Sequence, residues 1–148
     1  MRDMASEVRG RILVVDQDDW CREFLSAVFK LCGYEEFKVV GTAAEALKAL
    51  EETAFDLIIA DFKLAEQQRL LDDSRSRDPN IRFILMVHQH GSNQLLHYHY
   101  LEQVEVVIKP MSLDDMVRKI RNAIHQKHLR QMEKEIRRLK QEALRLLF

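Results

Sequence analysis

The sequence predicts an α/β protein: an open parallel sheet with helices on both faces, continued by one long C-terminal helix. Three observations predict it. Short, β-rich, almost continuously apolar segments recur as "RILVVD" (11–16), "FDLIIAD" (55–61), "RFILMVH" (82–88) and "VEVVIKP" (104–110). Strands of a parallel sheet read this way because both of their faces are covered. Helical patterns lie between these segments, and strand alternating with helix builds parallel crossover units. Finally, everything from Ser112 to Phe148 lacks Gly and Pro, so nothing in it breaks a helix.

The elements follow in order. After the strand that ends in Asp16, Trp20, Phe24, Val28 and Leu31 recur at steps of three and four, the period of a helix stripe. "EFKVVG" (36–41) is a fifth, weaker strand. "AAEALKALEET" (43–53) is a helix, with Thr42 placed as its N-cap. Residues 65–77 and 92–101 are two further, more polar helices. Ser112 with Asp115 resembles a capping box, although the usual partner is Glu or Gln. Leu113, Met116, Val117, Ile120 and Ile124 form a stripe suited to packing on the sheet.

Beyond that stripe the period changes. Leu129, Met132, Ile136, Leu139, Ala143 and Leu146 alternate steps of three and four, an a/d heptad seam. In that register Glu135 is a g position and Lys140 the following e, so a parallel homodimer would bring them together. The expected organisation is a tail over 1–10, a globular domain over 11–125 and a coiled-coil extension over 126–148.

Composition bounds the function. The chain has 148 residues, 47% of them hydrophobic, with only four Gly and two Pro, which excludes a disordered chain. A net charge of −1 gives no electrostatic case for nucleic acid. The charges of "RQMEKEIRRLK" alternate in sign, as on the outer face of a coiled coil, so no direct DNA contact is expected. Cys21 and Cys32 fall on one predicted helix, about 16 Å apart along its axis, too far to bridge. No apolar run reaches the roughly 18 residues of a membrane span. "MRDMASEVRG" lacks the apolar core of a signal peptide, and a cytoplasmic protein is expected. His88 and His90 could share one side of an extended segment. His97 and His99, two apart on a helix, would not share a face, and solvated loop histidines are the expectation for all four.

In an open α/β sheet ligands sit beyond the carboxyl ends of the strands. Asp16, Asp61 and Lys109-Pro110 end three of the predicted strands, so two carboxylates and a lysine converge there. "ILVVDQDD", "FDLIIAD" and "VVIKP", in this order and spacing, resemble the receiver domain of two-component response regulators over residues 10–125. The resemblance implies a flavodoxin-like doubly wound sheet of five parallel strands in the order 2-1-3-4-5. It implies that Asp61 accepts a phosphoryl group from a histidine kinase or phosphotransfer protein, and that Lys109 pairs with the phosphoryl oxygens. It also implies that Asp16 belongs to the acidic pair beside Mg²⁺.

The departures from the family pattern are specific. Gln17 stands where the second acid is expected. Its amide is an uncharged ligand, so Mg²⁺ held by Asp16, Asp61 and Gln17 should bind weakly or not at all. Asp18 is placed to cap the following helix. Val87 replaces the Ser or Thr that bonds the phosphoryl group, and His88 replaces the small residue after it. Val106 replaces the switch aromatic. Ala65 takes the Pro position after Asp61, in a segment about two residues short by comparison with the family. The expected function is a receiver-type signalling module with an impaired phosphorylation switch, passing its signal through a dimeric C-terminal helix towards an output domain. It is not an enzyme beyond self-catalysed phosphoryl transfer to Asp61. The alternatives are a fully phosphorylatable Mg²⁺-dependent receiver and a phosphorylation-independent dimeric scaffold.

Overall fold

A computed structural model describes residues 10–61, 67–88 and 103–148. Among them the order is β1 (Ile12–Val15), α1 (Asp19–Cys32), β2 (Phe37–Val40), α2 (Ala43–Glu52), β3 (Leu57–Asp61), α3 (Gln67–Arg77), β4 (Arg82–His88), β5 (Val104–Lys109) and α4 (Leu113–Leu147). The strands form one sheet in the order β2-β1-β3-β4-β5, and every neighbouring pair is parallel. This is the predicted flavodoxin-like topology. The predicted helix over 92–101, residues 1–9 of the N-terminal tail, Ala65, and His90, His97 and His99 lie outside the described residues.

Strand alternation sorts the core into two layers. Ile12, Val14, Leu57, Ile59, Ile84 and Met86 face α1 and α4. Leu13, Val15, Ile58, Ala60, Phe83 and Leu85 face α2 and α3. Because both layers are apolar, the inner strands β1, β3 and β4 carry no polar face, and this is why they read as unbroken runs.

The caps fix where the chain enters each helix. Thr42 Oγ1 accepts from the Glu45 amide at 3.1 Å, and Ser112 Oγ accepts from the Asp115 amide at 3.1 Å. Asp115 turns its carboxylate to Arg118 and Lys119, so the capping box at Ser112 is satisfied from one side. Gly33, at φ 83°, ends α1, with its amide reaching Lys30 O and the Tyr34 amide reaching Phe29 O. A side chain other than Gly would be strained in that left-handed conformation.

The stripe expected on α1 needs correction. The buried residues are Cys21, Leu25, Val28 and Phe29, while Trp20 is 59% and Leu31 72% exposed. The inward face is displaced by one residue, about 100° around the helix. Phe29, packed on Tyr34 and Phe37, selects that rotation, and the exposed Trp20 stacks on Phe24, which is partly buried against the core.

Of the first α4 stripe, Met116, Ile120 and Ile124 are fully buried and Val117 partly so. Burial continues to Lys127, whose ammonium sits between Asp56 and Asp78 Oδ2, the latter at 2.9 Å. Asp56, just before β3, also accepts the Arg11 amide at 2.7 Å. Beyond it Leu129, Met132, Ile136, Leu139 and Leu146 are exposed. No helix among the described residues is long and apolar enough to cross a membrane.

Lys127→Ala would leave Asp56 and Asp78 facing each other without their shared cation. The loss should be about 1–3 kcal/mol of stability, read as a lowered urea midpoint at unchanged slope. An unchanged midpoint would show that Lys127 does not fasten α4 to the sheet.

Candidate functional site

Parallel registers bring three strand ends to one edge. Val15 pairs with Ala60, which sets Asp16 beside Asp61. His88 pairs with Lys109, which aligns the ends of β4 and β5. Lys109 Nζ lies 2.7 Å from Asp16 Oδ2 and 3.8 Å from Asp61 Oδ2. Asp16 is fully buried, Asp61 is 8% exposed, and the Lys109 side chain only 11%. Pro110 follows through a cis peptide bond.

The four residues after β1 divide their charges among separate partners. Asp16 Oδ1 accepts from the Asp18 amide at 2.9 Å. Asp18 Oδ1 accepts from the Trp20 amide at 3.1 Å and so caps α1. Asp19 pairs with Arg22, which also donates to the Asp16 carbonyl at 2.6 Å. Gln17 is exposed. Each carboxylate of "DQDD" therefore has a cation or an amide of its own, which is how like charges stand together.

Two features here escaped the sequence reading. Arg22 braces the strand end, and its spacing of three from Asp19 was the available signal. Cys21 lies beneath the site, donating to Met86 Sδ at 3.7 Å, and no sequence pattern pointed to it. Val87, in contrast, was anticipated as the residue without a hydroxyl. It is buried at the end of β4 and pairs with Ile108. Val106 is half-buried opposite Leu85.

The titrations are coupled. Burial pushes the Asp16 carboxyl up, but the Lys109 hydrogen bond, the Asp18 amide, the Cys21 thiol and the Lys109 charge together hold it below its ordinary value. Burial likewise opposes the Lys109 ammonium, yet Asp16 and Asp61 raise it. The Cys21 thiol is pushed up to about 12 by burial and by Asp16, so it is a protonated, unreactive thiol at neutral pH.

Asp16, Asp61 and the Gln17 amide are the residues that could hold Mg²⁺. Asp16 already has both oxygens engaged, and Gln17 brings no charge. Among the described residues no group of three or more His, Cys, Asp or Glu side chains could hold a metal ion. Asp16 and Asp61 thus supply two carboxylates and Gln17 an uncharged amide oxygen, where a further anionic oxygen would strengthen the hold on a hard divalent cation. The positive charge at the two carboxylates comes from Lys109.

A family model for the response regulator receiver domain matches residues 12–121. The chain belongs to that family. It is 29% identical over 134 residues to the regulatory protein AtoC of Escherichia coli K12, covering 89% of this chain and 28% of AtoC. It is 24% identical over 120 residues to the transcriptional regulatory protein ZraR of Escherichia coli O157:H7, covering 80% of this chain and 27% of ZraR. The chain thus spans little more than a quarter of the length of these curated relatives. A receiver domain protein from Clostridium thermocellum superposes with a TM-score of 0.71 at 22% identity, over 80% of this chain and 97% of that one. NtrX from Brucella abortus superposes with a TM-score of 0.78 at 19% identity, over 86% of this chain and 29% of that one. These two likenesses show the fold. Receiver domains are generally non-enzymatic signalling modules that bind Mg²⁺ at the phosphorylation site. They interact with histidine kinases or phosphotransfer proteins and with output domains.

The Asp16–Lys109 pair makes a signed pH prediction. Asp16 is depressed, so its contribution to stability is present above the unfolded carboxyl pKa and is lost as pH falls through the folded one. Lys109 is raised, so its contribution is present below the unfolded lysine pKa and is lost as pH rises through the folded one. In Lys109→Met, Asp16 stays buried without its cation, and its carboxyl should titrate above the ordinary range instead of below it. Carboxyl carbon NMR across an acid titration reads this directly. An Asp16 that remains depressed in the variant would remove Lys109 as the cause.

Proposed function

We propose that this receiver domain carries an impaired phosphorylation switch and passes signals through a dimeric C-terminal helix. The observation that carries the reading is the Lys109–Asp16–Asp61 cluster standing without a third acid. The nucleophile and its cation are kept, while the charge that would hold a metal is not.

Asp61 is the phosphoacceptor in this reading. One of its oxygens forms the P–O bond as the bond from phosphorus to the donor breaks. Phosphoryl transfer depends mainly on positioning and charge neutralisation. Lys109, 3.8 Å from Asp61 Oδ2, is placed to neutralise the transferred oxygens. Any Mg²⁺ would lie against Asp16, Asp61 and, weakly, Gln17. After transfer, the buried Val87 offers no hydroxyl to the phosphoryl group and Val106 offers no ring to turn inward. The phosphorylated form is therefore held weakly in any altered arrangement, and the domain serves chiefly to dock a histidine kinase or phosphotransfer protein. We place this activity in the cytoplasm, with the globular receiver ending near residue 125 and the coil running over 126–148.

The helix supplies the route outward. α4 is unbroken from Leu113 to Leu147, so it joins the sheet-packed stripe to the exposed a/d seam. A rotation imposed on its first turns is carried into the seam. In a parallel dimer Glu135 would meet Lys140 of the second copy, which adds only about 0.2–1 kcal/mol. Within one chain Glu135 also pairs with Arg138 at 2.6 Å. An output domain beyond the seam would receive that rotation.

Two measurements test the reading. Incubation with a small phosphodonor and Mg²⁺, followed by intact mass, should give partial modification at Asp61, and Gln17→Asp should increase it and strengthen Mg²⁺ binding. Complete modification of the wild type, with no gain from Gln17→Asp, would establish a fully active receiver instead. Sedimentation should show a dimer that Ile136→Asp with Leu139→Asp converts to a folded monomer. If the wild type sediments as a monomer, or the variant as a dimer, the seam is not the interface.

A further inference from the structure

At the end of the sheet away from Asp61, a cleft of about 510 Å³ opens between α3, the turn before β4 and the second half of α4. Its cations come from two sides: Arg75 and Arg82 from the body of the domain, Arg130 and Lys134 from the helix. The carboxylate in the lining is Glu133, which lies 3.8 Å from Arg130. Among the described residues Arg75 and Lys134 have no ion-pair partner. The neighbouring carboxylates are turned elsewhere. Asp78 holds Lys127, and Asp72, which borders an adjoining hollow with Arg75, accepts from Gln68 at 3.0 Å.

We propose that this cleft binds a small polyanion carrying linked phosphate groups, which bridges the receiver body to the C-terminal helix. The size falls within the roughly 300–1,000 Å³ of small-ligand sites. The lining is not apolar enough for a hydrophobic ligand: beside the charges it offers the amides of Gln103 and Gln126. Guanidinium groups present paired N–H donors that match phosphate oxygens. Arg75 on the body and Lys134 on the helix carry like charges on opposite walls of the cleft, and an anion between them would be attracted to both. Leu129, the first residue of the exposed seam, also lines the cleft. Binding would therefore stiffen α4 at the point where it leaves the domain. This inference is independent of phosphorylation at Asp61.

Calorimetric titration of the full chain with pyrophosphate, at about 0.15 M salt to screen diffuse attraction, tests it. One site per chain is expected. Arg75→Gln with Lys134→Gln should weaken binding about tenfold or more, while Lys48→Gln on helix α2 should leave it unchanged. Arg75 is half-buried and Lys134 exposed, and an amide spectrum of the double variant shows whether the fold is retained. ADP binding more tightly than pyrophosphate would identify a nucleotide as the source of the phosphates, and equal affinity would identify free polyphosphate. No saturation in the millimolar range, equal binding by the double variant, or tighter binding of an oligoglutamate peptide than of pyrophosphate would each overturn the proposal.

Discussion

The Lys109 ammonium stands between two buried carboxylates, and the upper edge of the sheet is arranged around it. A carboxylate with no exposed surface is costly unless a cation and hydrogen bonds accompany it. Asp16 has all of these: Lys109 on one oxygen, the Asp18 amide on the other and Arg22 on its carbonyl. Asp61 shares the same lysine. Because β5 lies two strands from β3, the lysine reaches Asp16 past the end of β4, where the buried side chains are Met86 and Val87. Neither offers the ammonium a strong hydrogen-bond acceptor, so it is committed to the carboxylates.

The same strand ends govern α4. Ser112 caps that helix three residues after Lys109, so a displacement of the lysine reaches the helix almost at once. Met116, Ile120 and Ile124 hold its first turns against the sheet, and Lys127 fastens the last of them to Asp56 and Asp78. Asp56 opens the segment that ends at Asp61. Both ends of β3 therefore meet a lysine, one beside Asp61 and one on the helix. α4 is thus tied to the sheet at two points, through its Ser112 cap next to β5 and through Lys127 beside the start of β3.

Much of this was legible in the sequence because two-sided burial leaves an unmistakable apolar run. β4 occupies the predicted 82–88 without change. The helix starts at Thr42 and Ser112 were readable because a cap depends on one side chain and one local amide. Asp16, Asp61 and Lys109 could be brought together on paper because parallel topology alone sends strand ends to one edge. What depended on packing was not legible. The inward face of α1 turned on Phe29 meeting Tyr34 and Phe37, residues distant from the Trp20 stripe in pattern though near in space. Lys127 reads as an ordinary polar residue past the apolar stripe, and only its two carboxylate partners, far away in sequence, explain its burial.

We propose that the carboxylate–lysine cluster is retained while the path leading from it to β4 and β5 is not. Amide NMR spectra recorded with and without beryllofluoride, a mimic of a phosphoryl group on Asp61, test it most directly. The account predicts shifts confined to the residues around Asp16, Asp61 and Lys109. Large shifts spreading through β4 and β5, with Val87 and Val106 among them and continuing into α4, would contradict it.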